Sequence, residues 1–230
     1  MKIQFDDILK KLKKLSSHKN IKGMARFGIN PKKAIGVSIP NLRKLAKEIG
    51  KDHKLAQELW DSGIHEAKIL ASMIDELNLV TKKQMDKWIK DFDSWDVCDQ
   101  VCMNLFDKTP FAFEKAIAWT KNKLEFERRA GFALMASLAF HNNNSSDEKF
   151  LKFFPFIKKY SFDERNYVRK AVNWALRQIG KRNINLNKLA IEKAKEILKI
   201  NSKSAKWIAS DAIRELTSNG VQERLLNKKI

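Results

Sequence analysis

FDERNYVRKAVNWALRQIG, residues 162–180, repeats its apolar side chains at the spacing of a helix. Val168, Ala171, Val172, Ala175, Leu176 and Ile179 fall at i, i+3, i+4 and i+7, the single apolar stripe of an amphipathic helix. At about 100° per residue, Trp174 points roughly 130° away from the middle of that stripe. On the polar face it joins Lys170, Arg177 and, past the helix end, Lys181. Two explanations fit a tryptophan among three cations. Either an adjacent repeat covers it, or it is an aromatic tool on a phosphate-binding surface.

The same period runs outward from that helix in both directions. Strand signals are nearly absent, and Gly and Pro number only 8 and 4. The spacing predicts helices over residues 40–49, 52–60, 65–77, 81–92, 95–106, 110–121, 125–140, 147–159, 162–180, 186–200 and 202–217. Thr109 is expected to cap the helix that Pro110 opens, and serines of the loop HNNNSSDEKF (141–150) the one that follows it. About a dozen helices this short cannot bury themselves singly. Antiparallel pairs stacked into an all-α, curved, right-handed solenoid of the HEAT or armadillo type bury them naturally, with a compact bundle as the alternative. No composition break divides the chain, so one domain over residues 1–230 is expected. A solenoid's concave face suits a rod-like partner.

Charge narrows the partner. Lys+Arg outnumber Asp+Glu by 46 to 27, a formal net charge of +19. A polyanion is the first partner that such an excess suggests, with a generally lysine-rich proteome as the bland alternative. No apolar run approaches the roughly 20 residues of a membrane span. The amino terminus, MKIQFDDILKKLKK, carries acids and lacks the apolar core of a secretory signal. Two cysteines in 230 residues imply a reducing compartment. A cytoplasmic protein is expected, associated with the nucleoid when bound to DNA.

Two further segments carry chemistry-bearing residues. In SWDVCDQVC (94–102), Cys98, Val101, Cys102 and Leu105 share one helical face, so both thiols are expected in the core. Further soft ligands are lacking, because His18, His53, His65 and His141 are scattered, and no metal site is expected. Asp96 falls outside the stripe and reads as solvated or as a first-turn dipole partner. Trp95 and Asp99 stand one above the other at i, i+4 on its shoulder, either an active-site element or a solvated helix edge. LEFERRAGFALMASLAF (124–140) is apolar nearly all round and therefore central. Arg129 shares an arc with Ala133, Ala136 and Phe140, and a guanidinium there needs an anionic partner or a phosphate. Asp99 is one candidate for that partner and a nucleic-acid backbone another, with purely structural pairing the third reading.

These residues also carry a family likeness. SWDVCDQ with Trp95 and Asp99, ERRAGF with Arg129, and RKAVNWALRQIGKR with Trp174 resemble motifs of the AlkD-type DNA alkylation repair glycosylases. MARF (24–27), GVSIPNLRKLAKEI (36–49) and SAKWIASDAIRELT (204–217) extend the resemblance over nearly the whole chain, in order. It implies a HEAT-like solenoid whose basic concave face embraces double-stranded DNA. It further implies excision of cationic N3- or N7-alkylated purines without metal or cofactor and without base flipping. Asp99 would be the catalytic carboxylate, Trp95 and Trp174 aromatic walls against the deoxyribose, and Arg129 a backbone-contacting or Asp-supporting group. Arg26, Lys170, Arg177 and Lys181 would engage phosphates of alkylated duplex DNA, with the protein a monomer that needs no membrane. The chain departs from the pattern at Ser94, where the resemblance implies a bulky aromatic, and at Phe27 and Ser38, where it implies a tyrosine and a glutamine. Those departures bear on affinity and lesion range. The family also includes members that bind DNA without excising a base.

The chemistry suits the residues independently. An alkylated purine cation needs no general acid to leave, so one carboxylate that stabilises an oxocarbenium-like sugar and positions water suffices. The rivals to a glycosylase are a non-catalytic binder of bent or branched duplexes and a protein-binding HEAT scaffold.

Overall fold

The computed structural model describes residues 4–227, and these form an all-α structure without strands. The chain divides into two compact units, one ending at Thr109 and the other beginning at Pro110.

The first unit contains α1 (Phe5–Lys14), α2 (His18–Arg26), α3 (Ile39–Ile49), α4 (His53–Asp61), α5 (His65–Ile74), α6 (Lys82–Trp88) and α7 (Trp95–Asn104). Helix α5 is its centre and packs against α3, α4 and α7. Side-chain caps set several starts, because the first amides of a helix have no partner within it. Asp52 accepts from the Leu55 amide ahead of α4, and Thr81 from the Gln84 amide ahead of α6. The apolar stripes meet in a core in which Trp60 and Trp88 stack with centroids 3.9 Å apart and planes 2° from parallel. Trp60 spends its indole N–H on Asp91 at 2.8 Å.

The second unit contains α8 (Ala112–Trp119), α9 (Glu125–His141), α10 (Asp147–Leu151), α11 (Phe154–Tyr160), α12 (Asn166–Gly180), α13 (Ile184–Leu198), α14 (Lys203–Leu216) and α15 (Asn219–Asn227). Helix α9 is buried from Arg129 to Ala139 and packs on α8 and α12, while α12 also meets α13 and α14. At Gly131 the backbone of α8 comes so near that an added Cβ would lie 2.7 Å from the Thr120 nitrogen and 2.9 Å from the Ala116 carbonyl oxygen.

Four expectations about helix ends change. The span 147–159 is two helices, because Pro155 lacks an N–H and its ring excludes the carbonyl of Leu151, where α10 ends. Ser146 precedes α10 without a side-chain cap bond. Thr109 does not cap α8; its hydroxyl donates back to the Phe106 carbonyl at 2.8 Å, and the helix begins at Ala112. Helix α12 begins at Asn166, four residues later than the pattern suggested, because Asp163 turns the chain by accepting from the Arg165 amide at 3.2 Å.

Repeat lengths differ between the units. In the first, Trp60 reaches Asp91 and His65 reaches Asp96, each 31 residues away. In the second, Asn173 reaches Asp211 and Arg177 reaches Glu215, each 38 residues away. Two unequal periods hide a repeat from any search for one spacing.

Candidate functional site

In the first unit the candidate residues lie on α7. Val97, Cys98, Val101 and Cys102 form its buried face, and burial pushes the Cys102 thiol well above its ordinary range. The core placement of both cysteines is as their spacing predicted. Among the described residues, no group of three His, Cys, Asp or Glu side chains is placed to hold a metal. Trp95 and Asp99 are both half-buried, one helical turn apart on the shoulder of that face. The Trp95 indole N–H donates to the Phe27 carbonyl oxygen at 3.0 Å, in the turn that follows α2. With the N–H used in this way, what Trp95 offers a ligand is its ring face.

Asp96 is not the solvated residue that its position off the apolar stripe suggested. Its carboxylate meets His65 Nε2 at 2.8 Å and accepts from the Ser94 hydroxyl at 2.5 Å. Burial disfavours the imidazolium of His65, but the bond and charge of Asp96 outweigh it and hold the His65 pKa above 6.5. Burial likewise opposes the Asp96 charge, and His65 more than offsets it, leaving that carboxyl below its usual range. Ser94 is fully buried beneath this pair. At this departure from the pattern implied by resemblance, the chain thus presents no side chain to solvent. Phe27, by contrast, is 74% exposed. Arg26, at the end of α2, is exposed as well.

In the second unit, α9 and α12 carry the candidates. Arg129 is 5% exposed and donates to the Tyr167 carbonyl oxygen at 2.7 Å. A guanidinium inside a central helix thus helps hold the first turn of the helix packed against it. Phe140 does not share the buried arc expected for it, being 59% exposed. Arg128 points another way and meets Asp163 at 2.6 Å. Trp174 is half-buried, and Lys170, one turn before it, is exposed.

The other two cations of this face are engaged. Arg177 pairs with Glu215 and lies 3.5 Å from Asp211, and Lys181 meets Glu215 at 2.6 Å. Burial opposes the charge on Glu215, yet Lys181 and Arg177 hold its carboxyl below the ordinary range. Glu215 and Asp211 escaped the sequence reading because each acts across a repeat. So did Trp207, 39% exposed on α14, with the Arg169 guanidinium 4.8 Å from its ring centroid. Trp207 lies in SAKWIASDAIRELT, so its signal was present without a partner to interpret it.

Known proteins resemble this chain in sequence and in fold. The sequence model of a family described as DNA alkylation repair enzyme matches residues 8–216. A Listeria innocua protein, Lin0241, is 25% identical over 203 residues, covering 86% of this chain and 88% of its own. A solved structure from a family related to the HEAT-like repeat DNA glycosylases, with affinity for branched DNA structures, superposes with a TM-score of 0.77. The two are 20% identical, over 93% of this chain and 95% of that one. That likeness shows the fold, a helical solenoid of the HEAT-like repeat class.

Proposed function

The chain belongs to the DNA alkylation repair enzyme family, and from that premise we propose that it is a DNA glycosylase for cationic N3- and N7-alkylated purines in duplex DNA. The observation that carries the reading is the Trp95–Asp99 pair, half out of the core, with the indole N–H anchored and its ring face available. Asp99 stabilises the positive charge that develops on the deoxyribose and positions a water molecule. The C1′–N bond breaks, its electron pair neutralises the alkylated base, and water adds to C1′ with loss of a proton. The base leaves uncharged, so no acid is required and no flipping pocket is invoked. The Trp95 ring face would lie against the cationic sugar, contributing roughly 0.5–2 kcal/mol, and Trp174 is the aromatic side chain that the second unit would offer DNA. Arg129 acts as a positioning residue through the Tyr167 carbonyl, fixing α12 and with it the neighbourhood of Trp174. Arg26 and Lys170 are the exposed phosphate-binding candidates, and Arg177 and Lys181 contribute to the extent that they leave Glu215.

Release of 7-methylguanine from methylated duplex DNA tests the assignment. Asp99→Asn should lower the rate by about 100-fold or more while duplex affinity persists. Equal release by both proteins, at the spontaneous rate, would refute the enzyme reading. The second reading is a non-catalytic binder of branched DNA, favoured by the branched-DNA affinity of the structural relative. It predicts that spontaneous-rate outcome, together with tight binding to junctions.

A further inference from the structure

A pocket of about 740 Å³ opens in the second unit where α9 and α12 end, with Arg224 of the last turn of α15 in its lining. Its lining includes Phe140, Gln178, Lys181, Arg182, Arg224 and Asp147. That volume lies within the roughly 300–1,000 Å³ typical of small-ligand sites. We propose that it holds an unpaired nucleotide of DNA, on a strand end or arm that continues from the duplex. The proposal rests on the DNA-binding reading above and deepens it.

Charge comes first. Among the described residues, Arg182 and Arg224 form no ion pair with a carboxylate; both are held by backbone carbonyl oxygens instead. Arg182 donates to Ala139 and Ser145 at 2.9 and 3.3 Å, its guanidinium lies 3.9 Å from the Phe150 ring centroid, and its Nε is buried without a partner. Arg224 is exposed and donates from its Nε to Gly220 at 3.0 Å. Asp147, the one carboxylate in the lining, already accepts from Asn183 and Asn185 at 2.8 Å each. Two cations outside any ion pair, Arg182 with the Asp147 charge nearby and Arg224 exposed, joined by Lys181 when Glu215 releases it, suit a phosphate.

Shape and stacking narrow the ligand further. Phe140 stands 59% exposed at the rim, a large apolar ring kept in solvent beside these cations. A π-face next to positive charge is what single-stranded nucleic acid requires, since its bases are free to stack. In a duplex the base faces are already stacked, and reaching one would demand extrusion from the helix. Gln178 and Lys181 lie one and two turns beyond Trp174 along the same side of α12, so the pocket continues the strip proposed to meet DNA.

Fluorescence anisotropy with a blunt duplex and the same duplex bearing a single-stranded thymidine arm tests this. The wild type should prefer the armed substrate by about fivefold or more, the lower end of one base stacked on an aromatic side chain. Phe140→Ala should bring the ratio of the two affinities close to one, Arg224→Gln should reduce it, and Phe140→Trp should restore it. Full preference retained by Phe140→Ala would overturn the proposal. Blunt-duplex binding without any preference for the arm in the wild type would overturn it too, leaving the DNA reading intact. Binding to neither substrate would defeat both.

Discussion

Around Asp99, neighbouring carboxylates on one helix have opposite fates. Asp96 is sealed against His65 and supports the fold, whereas Asp99, three residues on, stays on the half-buried shoulder beside Trp95. The pair His65–Asp96 makes stability depend on pH. Because the His65 pKa is raised, its contribution is complete below the ordinary value of 6.5 and fades as pH rises through the folded value. Because the Asp96 pKa is lowered, its contribution is complete above 3.8 and fades as pH falls through the folded value. Asp96→Asn should therefore destabilise most at about pH 5–6, by about 3 kcal/mol or less, and distinctly less near about pH 8.5. Urea unfolding of both proteins at the two pH values measures it, and an equal loss at each would dismiss the linkage. Spacing alone separated the buried cysteines from Trp95 and Asp99. It could not reveal that Asp96 is paired, because the partner sits 31 residues upstream on another helix.

Helices were the most legible part of the chain. Long amphipathic ones such as α13 and α14 sit within two residues of where their stripes placed them, because one apolar face has one way to be buried. One misread region, 147–159, failed on a single residue: Pro155 outranks the apolar pattern on both sides of it. Helix α9, apolar nearly all round, was rightly central, but its close approach to α8 was invisible until Gly131 was seen against Thr120 and Ala116. Gly131→Ala should cost about 1–3 kcal/mol, since the obstructing atoms are backbone and cannot swing aside. Chemical denaturation reads this directly, and a variant as stable as wild type would show that the two helices part easily. The ladder between α12 and α14, Asn173 to Asp211 and Arg177 to Glu215, was equally hidden, because its rungs lie 38 residues apart.

At the scale of the molecule, a net charge of +19 overstates the charge available to a partner. Glu215 alone occupies two of the four cations proposed to meet phosphates. If some 6–10 phosphates are contacted, duplex affinity should fall by about 10³–10⁵ between about 50 and 200 mM salt. Glu215→Gln should tighten duplex binding and steepen that dependence by up to about two phosphate contacts. Filter binding across a salt series would show it, and an unchanged slope would mean that Arg177 and Lys181 never reach the backbone. The paired state also sets a timescale. A repair protein must leave intact sites quickly, and cations that fall back onto their own carboxylate let go of a phosphate without waiting for a counterion. On the proposed reading, Glu215 would shorten each stay on undamaged DNA, so that the search for a rare lesion would be governed by dissociation as much as by encounter.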